Sequence, residues 1–284
     1  MLKKLLVASL GRLGYQVRRI DRGNISHKIS FLSDVNRKLG YYLEEEANEQ
    51  ILKVRAYTML PYVRLVTLYQ QAVHCEKYGI QGSFVECGVW KGGAVGLMAL
   101  ANMNHGKGPK HIHLFDAFDD ICEPDARIDG KRALNEVRLY AKIDSEMSSK
   151  LEPVKGLYDA FGGCGTLEEN KRLLEEIINY NPDYLHYHKG WFQNTLSKDS
   201  SQIEDIAILR LDADWYASTK VCLEYLYDKV VPGGFVIIDD YGYYEGCKKA
   251  VDEFIEKRNL KIFLNNIDYG CVYWIKPYNL PAKW

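Results

Sequence analysis

From Gly82 onward, short apolar runs alternate with longer amphipathic ones, whereas residues before Gly79 show only helical spacing. Between Leu43 and Lys77 the apolar positions Leu60, Val63, Leu65, Val66 and Leu68 fall on a helical period, and Pro61 suits a first helical turn. Seven apolar runs follow: Ser83–Cys87, His111–Phe115, Tyr184–His188, Ile206–Leu211, Phe235–Ile238, Lys261–Leu264 and Cys271–Ile275. The last two are joined through Asp268-Tyr269-Gly270 as in a hairpin. Ala94–Asn102, Thr166–Asn179, Ser218–Tyr227 and Cys247–Arg258 read as helices, the second with a threonine cap and Glu168-Glu169 in its first turn. This alternation predicts a doubly wound α/β fold, a seven-stranded and mostly parallel sheet, preceded by a helical layer. The expected division is a helical region over residues 1–78 and a ligand-binding domain over 79–284.

Composition narrows the function classes. A 47% hydrophobic content supports a sizeable core, and 37 basic against 38 acidic residues leave no global pull toward nucleic acid. Seven cysteines without CxxC pairing suit a reducing compartment, so the cytoplasm is expected. The N-terminus places Lys3 and Lys4 before a short apolar run, but Gly11-Arg12 interrupts it, and no segment offers the roughly 20 apolar residues of a membrane span. A soluble chain is expected. Membrane contact is conceivable only through a basic amphipathic segment carrying Lys3, Lys4, Arg12, Arg18 and Arg19.

The first strand runs into Glu86-Cys87-Gly88-Val89-Trp90-Lys91-Gly92-Gly93, a glycine-rich turn opening a helix. A side chain at Gly88 or Gly92 would keep a ligand from the backbone, and the helix start offers free N–H groups. The spacing is not the dinucleotide GxGxxG. The second strand ends at Asp116, placed to accept ribose hydroxyls, although Asp119 and Asp120 stand close by. After the third strand, Gly190 precedes Trp191-Phe192, a slot for an adenine ring or ordinary core packing. The strongest feature is Asp212-Ala213-Asp214 after the fourth strand and Asp239-Asp240 after the fifth. Parallel neighbours bring these carboxylates to one sheet edge, where they repel unless a hard divalent cation such as Mg²⁺ joins them. Helix capping by Ser218 and Asp239 is the alternative. His111 with His113 and His186 with His188 have zinc-compatible i, i+2 spacing but lie in core strands, so packed histidines are favoured; His188 is kept as a candidate catalytic group.

These motifs, with Tyr57-Thr58-Met59-Leu60, His188-Lys189-Gly190-Trp191-Phe192, Asp239-Asp240-Tyr241 and Val272-Tyr273-Trp274, resemble in order those of the macrocin O-methyltransferase family. The resemblance implies a class I methyltransferase fold, S-adenosylmethionine as donor, and Mg²⁺ held by Asp212, Asp239 and Asp240. It places Glu86 and Gly88 beside the methionine part of the donor, Asp116 at the ribose and Trp191-Phe192 at the adenine. Thr58 and Met59 join a lid, Asp212 also faces the donor, and a homo-oligomer follows, with residues 1–78 serving lid and assembly. The implied acceptor is a hydroxyl of a small molecule or glycan, most simply a sugar of a natural product; no motif falls in residues 1–50 or 121–153.

Methyl transfer from a sulfonium is an in-line displacement, so the protein must align the acceptor and raise its nucleophilicity. Asp212 is the expected general base. A catechol-type O-methyltransferase shares the metal logic and is the nearest rival. A nicotinamide-dependent oxidoreductase lacks its glycine fingerprint and would have no use for the acidic pair, and a non-catalytic donor-binding protein predicts missing metal ligands, all of which are present.

Overall fold

The computed structural model describes residues 40–141, 147 and 150–278. They belong to one compact unit, Leu39–Trp284; the other unit, Met1–Lys38, lies outside the described residues, and with it the basic N-terminal segment. Two helices open the described chain, α1 (Glu44–Val54) and α2 (Tyr62–Tyr78). Three glutamates fill the first turn of α1, where the helix dipole favours them. Pro61 stands at the N-cap of α2 rather than inside it, and Gly79 ends the helix at φ 65°, returning its N–H to the carbonyls of Cys75 and Glu76.

The sheet comprises β1 (Ser83–Cys87), β2 (Ile112–Asp116), β3 (Leu185–Lys189), β4 (Ile206–Leu211), β5 (Val230–Ile238), β6 (Asn265–Asn266) and β7 (Val272–Ile275), in the order β3-β2-β1-β4-β5-β7-β6. The first five strands are parallel; β7 runs antiparallel to both neighbours. The helices between strands are α3 (Gly93–His105), α4 (Gly130–Ala141), α5 (Leu167–Lys171), α6 (Phe192–Asp199), α7 (Tyr216–Leu226) and α8 (Glu245–Lys257). All of β1 and β4 is buried, as continuous apolar strands covered on both faces require. Phe84, Leu114, Leu209, Ile238 and Trp274 are among the fully enclosed side chains. The first ten residues of α3 are buried too, and Gly96 permits this: a Cβ there would lie 2.7 Å from Ile178 and 3.1 Å from Val54.

Three elements differ from expectation. Lys261–Leu264 is not a strand: Ile262 and Leu264 pack against the core, Phe263 is exposed, and ladder pairing with β7 begins only at Asn265. The Thr166–Asn179 helix begins with the expected cap, Thr166 and Glu169 exchanging bonds in a capping box, then widens into a π-helical turn over Arg172–Ile177 that buries adjacent Leu173 and Leu174 together. Helix α4 arises in a stretch without recognisable motifs; Ala133 and Val137, four apart, are its buried face.

Candidate active site

The strand order reverses between β1 and β4, so their C-terminal ends open a crevice. Backbone bonds continue the ladder past the strands: Gly88 N–H donates to Phe115 O (2.9 Å), Asp212 N–H to Cys87 O (2.8 Å), Asp239 N–H to Leu211 O (2.8 Å) and Gly190 N–H to Asp116 O (2.8 Å). Residues remote in sequence thereby leave the sheet along one line. They border a cavity of about 380 Å³, within the range of small-molecule sites.

Gly88 is required by that line. At φ 85° it lies so close to β4 that a Cβ would come within 1.9 Å of the Asp212 carbonyl oxygen. Asp116 braces the turn that follows: one carboxylate oxygen accepts the N–H groups of Val89 (2.7 Å) and Trp90 (3.2 Å), the other that of Phe118 (2.6 Å). Burial pushes its carboxyl up to about 6 despite these three donors.

Met59, Gly88, Asp116, Gly190, Trp191, Phe192, Asp212, Asp239 and Asp240 all line the cavity. Four other expected site residues do not. Thr58 turns its hydroxyl to Leu60 N–H (3.1 Å) and packs over Gly93. Gly92 abuts Asn170, whose side-chain oxygen a Cβ would meet at 2.4 Å. Glu86 is 1% exposed and ion-paired with Arg210 beneath the cavity floor; burial lifts its carboxyl to about 8, against the pull of that arginine.

His188 lies farther from expectation than the other three, outside the cavity lining. It lies on the sheet face against Phe115, its ring stacked 4.0 Å away, with both nitrogens engaged. Asp199 accepts from Nδ1 (3.1 Å), which leaves Nε2 to accept from His113 Nδ1 (3.1 Å). His186 stacks on His113 at 4.4 Å and meets His111 at 2.8 Å. The four histidines form a cross-strand ladder, and no metal-compatible group among the described residues includes one of them.

The carboxylates converge, with one exchange of partners. Oxygen atoms of Asp212, Asp214 and Asp240 lie within 4.8 Å of one another. Asp239 instead meets Arg64 on one oxygen (2.6 Å) and Arg210 on the other (2.6 Å). Arg210 also donates to Asp212 (3.1 Å). Burial first, then mutual repulsion, pushes Asp214 and Asp240 well above the ordinary carboxyl range. Oδ2 of Asp240 is buried without a hydrogen-bond partner. Three hard oxygen donors at short range, with one orphaned lone pair, fit a small divalent cation. Capping does not explain them, because the N-cap residues of α7 and α8 are Trp215 and Tyr244, neither with a side-chain cap, and the first N–H of α7 goes to Asp129 (2.7 Å).

Asp214 is the residue the sequence reading underused. It lies past the end of β4 at φ 55°, and its side chain lines the cavity with Asp212 and Asp240. Aromatic walls come from Trp90, Tyr158, Trp215, Tyr243 and Tyr244, and α4 adds Arg132, Glu136 and Tyr140 from the motif-free stretch.

This strand order, with its antiparallel seventh strand and a crevice at the β1/β4 switch, is the class I methyltransferase fold. The chain belongs to the macrocin-O-methyltransferase (TylF) family, whose profile matches residues 41–276, and is an O-methyltransferase with S-adenosylmethionine as donor. It is 33% identical to the demethyldecarbamoylnovobiocin O-methyltransferase of Streptomyces niveus over 89% of this chain and 85% of that protein. It is 30% identical to the 8-demethyl-8-(2,3-dimethoxy-alpha-L-rhamnosyl)-tetracenomycin-C 4'-O-methyltransferase of Streptomyces olivaceus over 77% and 75%. The solved structure of the O-methyltransferase NovP aligns with a TM-score of 0.61 at 26% identity, covering 89% of this chain and 100% of that one. The calicheamicin methyltransferase CalS11, 15% identical with a TM-score of 0.51 over 91% of this chain and 99% of that one, shares the fold.

Proposed function

We propose that the protein methylates a hydroxyl of a sugar, in a natural product or glycan, at a site holding Mg²⁺ or a similar cation. The carboxylate convergence carries this reading; the sugar hydroxyls named in relatives such as the tetracenomycin-C enzyme support the acceptor class. Aromatic walls beside charged groups also suit a ring with apolar C–H faces and polar edges. Asp212 and Asp240 hold the cation, which when bound favours the alkoxide form of the acceptor. Asp214, which lines the same cavity, takes the acceptor proton in place of Asp212, whose carboxylate is already engaged by Arg210. Gly88 and the turn braced by Asp116 seat the amino-acid and ribose parts of the donor, and Trp191 and Phe192 flank its adenine. The Met59–Pro61 wall covers the donor, and residues 1–78 as a whole serve as lid and assembly surface. No described helix is long and apolar enough to cross a membrane, all seven cysteines are free, and we place the enzyme in the cytoplasm as a homo-oligomer.

The test is a screen of glycosides and catechols with S-adenosylmethionine, with Mg²⁺ or with chelator, read as a gain of one methylene in mass. Magnesium-dependent methylation of a sugar hydroxyl is expected. Methylation confined to catechols would overturn the acceptor class, and full turnover in chelator would overturn the cation.

A further inference from the structure

Helix α4 sets Arg132, Glu136 and Tyr140 at successive four-residue steps, so one stripe of the helix faces the cavity while Ala133 and Val137 bury the neighbouring stripe. Glu136 accepts from the Tyr244 hydroxyl on one oxygen (2.6 Å) and from Arg132 Nε on the other (3.0 Å). The Arg132 guanidinium lies over the Tyr243 ring, 4.2 Å from its centre, and Tyr244 meets Trp215 edge-on at 5.0 Å. The N–H groups of Tyr243 (2.9 Å) and Tyr244 (3.1 Å) both return to the carbonyl of Asp240, which fastens this wall to a strand end that carries the carboxylates. The proposed donor seat, Gly88, Asp116, Trp191 and Phe192, shares no residue with it.

A brace that only tied α4 to the β5–α8 loop would be sealed, but the side chains of Arg132 and Glu136 are 44% and 33% exposed and both line the cavity. Each carboxylate oxygen of Glu136 has two lone pairs and one protein partner, and the Nη groups of Arg132 make no hydrogen bond among the described residues. An acceptor and a donor thus stand side by side with capacity left, next to aromatic faces, as recognition of a sugar ring requires. Charge narrows the class of sugar. Arg132 is compensated by Glu136 and Arg64 by Asp239 and Asp268, while seven aspartates line the same cavity. Among the described residues no unpaired lining cation is left for a phosphate or a carboxylate. We propose that Glu136, held by Tyr244 and paired with Arg132, is a specificity-determining residue that binds a ring hydroxyl other than the one methylated, on an uncharged sugar. This rests on the methyltransferase reading above.

The test uses the full chain with S-adenosylmethionine, Mg²⁺ and the methyl glycosides of rhamnose, galactose and glucose. Glu136→Gln should lower kcat/KM about tenfold for the glycoside that wild type methylates best, chiefly through KM, because the contact is made before transfer as well as during it. Affinities for S-adenosylhomocysteine and Mg²⁺, read by calorimetry, should stay within about twofold of wild type, which also shows that the variant is folded. Monodeoxy analogues of the same glycoside separate recognition from bracing. For one of them wild type and variant should have equal kcat/KM, since the hydroxyl that Glu136 meets is already gone, whereas a merely structural role slows every analogue by the same factor. A uniform deficit across the analogues, an unchanged KM, or no methylation of any of these glycosides by wild-type protein that binds S-adenosylhomocysteine overturns the proposal. If wild-type protein binds no S-adenosylhomocysteine, the methyltransferase reading itself is what fails.

Discussion

The histidine ladder makes a quantitative prediction about pH. His113 is 3% exposed, and burial, then the neighbouring rings of His186 and His188, lowers it from 6.5 to about 3. Because the folded value is depressed, its neutral form supports the fold above pH 6.5, and that support is lost as pH falls toward 3 while the unfolded chain takes up the proton. Between pH 7.5 and 5.5 the loss from this one residue comes to about 1.4 kcal/mol. His186 and His188 are depressed too and add in the same direction. The raised carboxyls Asp214 and Asp240 act oppositely, since they hold extra protons in the folded state. Total stability against pH therefore mixes the two, and the difference between wild type and His113→Phe isolates the ladder. Urea unfolding at both pH values should show the variant gaining about 1.4 kcal/mol relative to wild type on going to pH 5.5. A difference that stays constant with pH, or changes the other way, would refute the assignment.

Three further outcomes follow from the site. Gly88→Ala forces a Cβ to within 1.9 Å of a backbone oxygen at a left-handed φ, so urea unfolding should show a loss of roughly 3–5 kcal/mol, with donor binding abolished. Asp240→Asn should weaken Mg²⁺ binding by about tenfold or more, whereas Asp239→Asn, whose carboxylate is held by two arginines, should lower stability more than cation affinity; calorimetry and thermal unfolding separate them. Asp116→Asn replaces a charged acceptor of three backbone N–H groups, and S-adenosylhomocysteine affinity should fall about tenfold as the Val89-Trp90 turn loosens.

Most of the sheet was legible in sequence because its strands are short, nearly continuous apolar runs separated by amphipathic stretches. Asn265–Asn266 was not, since its pairing rests on backbone register with β7 rather than on side-chain pattern. In the site, the clustering of aspartates at one edge followed from parallel neighbours alone. Which aspartate takes which partner did not: Arg64 lies 175 residues from Asp239, and only the folded chain brings them together. Asp214 was quoted yet underweighted, because only the folded chain shows that it, and not Asp239, gathers with Asp212 and Asp240. Glu86 and His188 lie outside the cavity lining, which their place near the ends of β1 and β3 did not reveal. Residues at the end of a strand point to either side of the sheet, and these two face Arg210 and the histidine ladder. Helix α4 carried no motif, yet it supplies Arg132, Glu136 and Tyr140 to the cavity.

The most direct test of the central claim, that one cavity holds both the methyl donor and a carboxylate-bound cation, is a two-stage calorimetric titration. S-adenosylhomocysteine is added to the chain first, and Mg²⁺ is then added to the complex, for wild type and Asp240→Asn. Saturable binding of both ligands to wild type, with the second heat lost in the variant, is the predicted result. No binding of S-adenosylhomocysteine, or Mg²⁺ binding unaffected by Asp240→Asn, would contradict it.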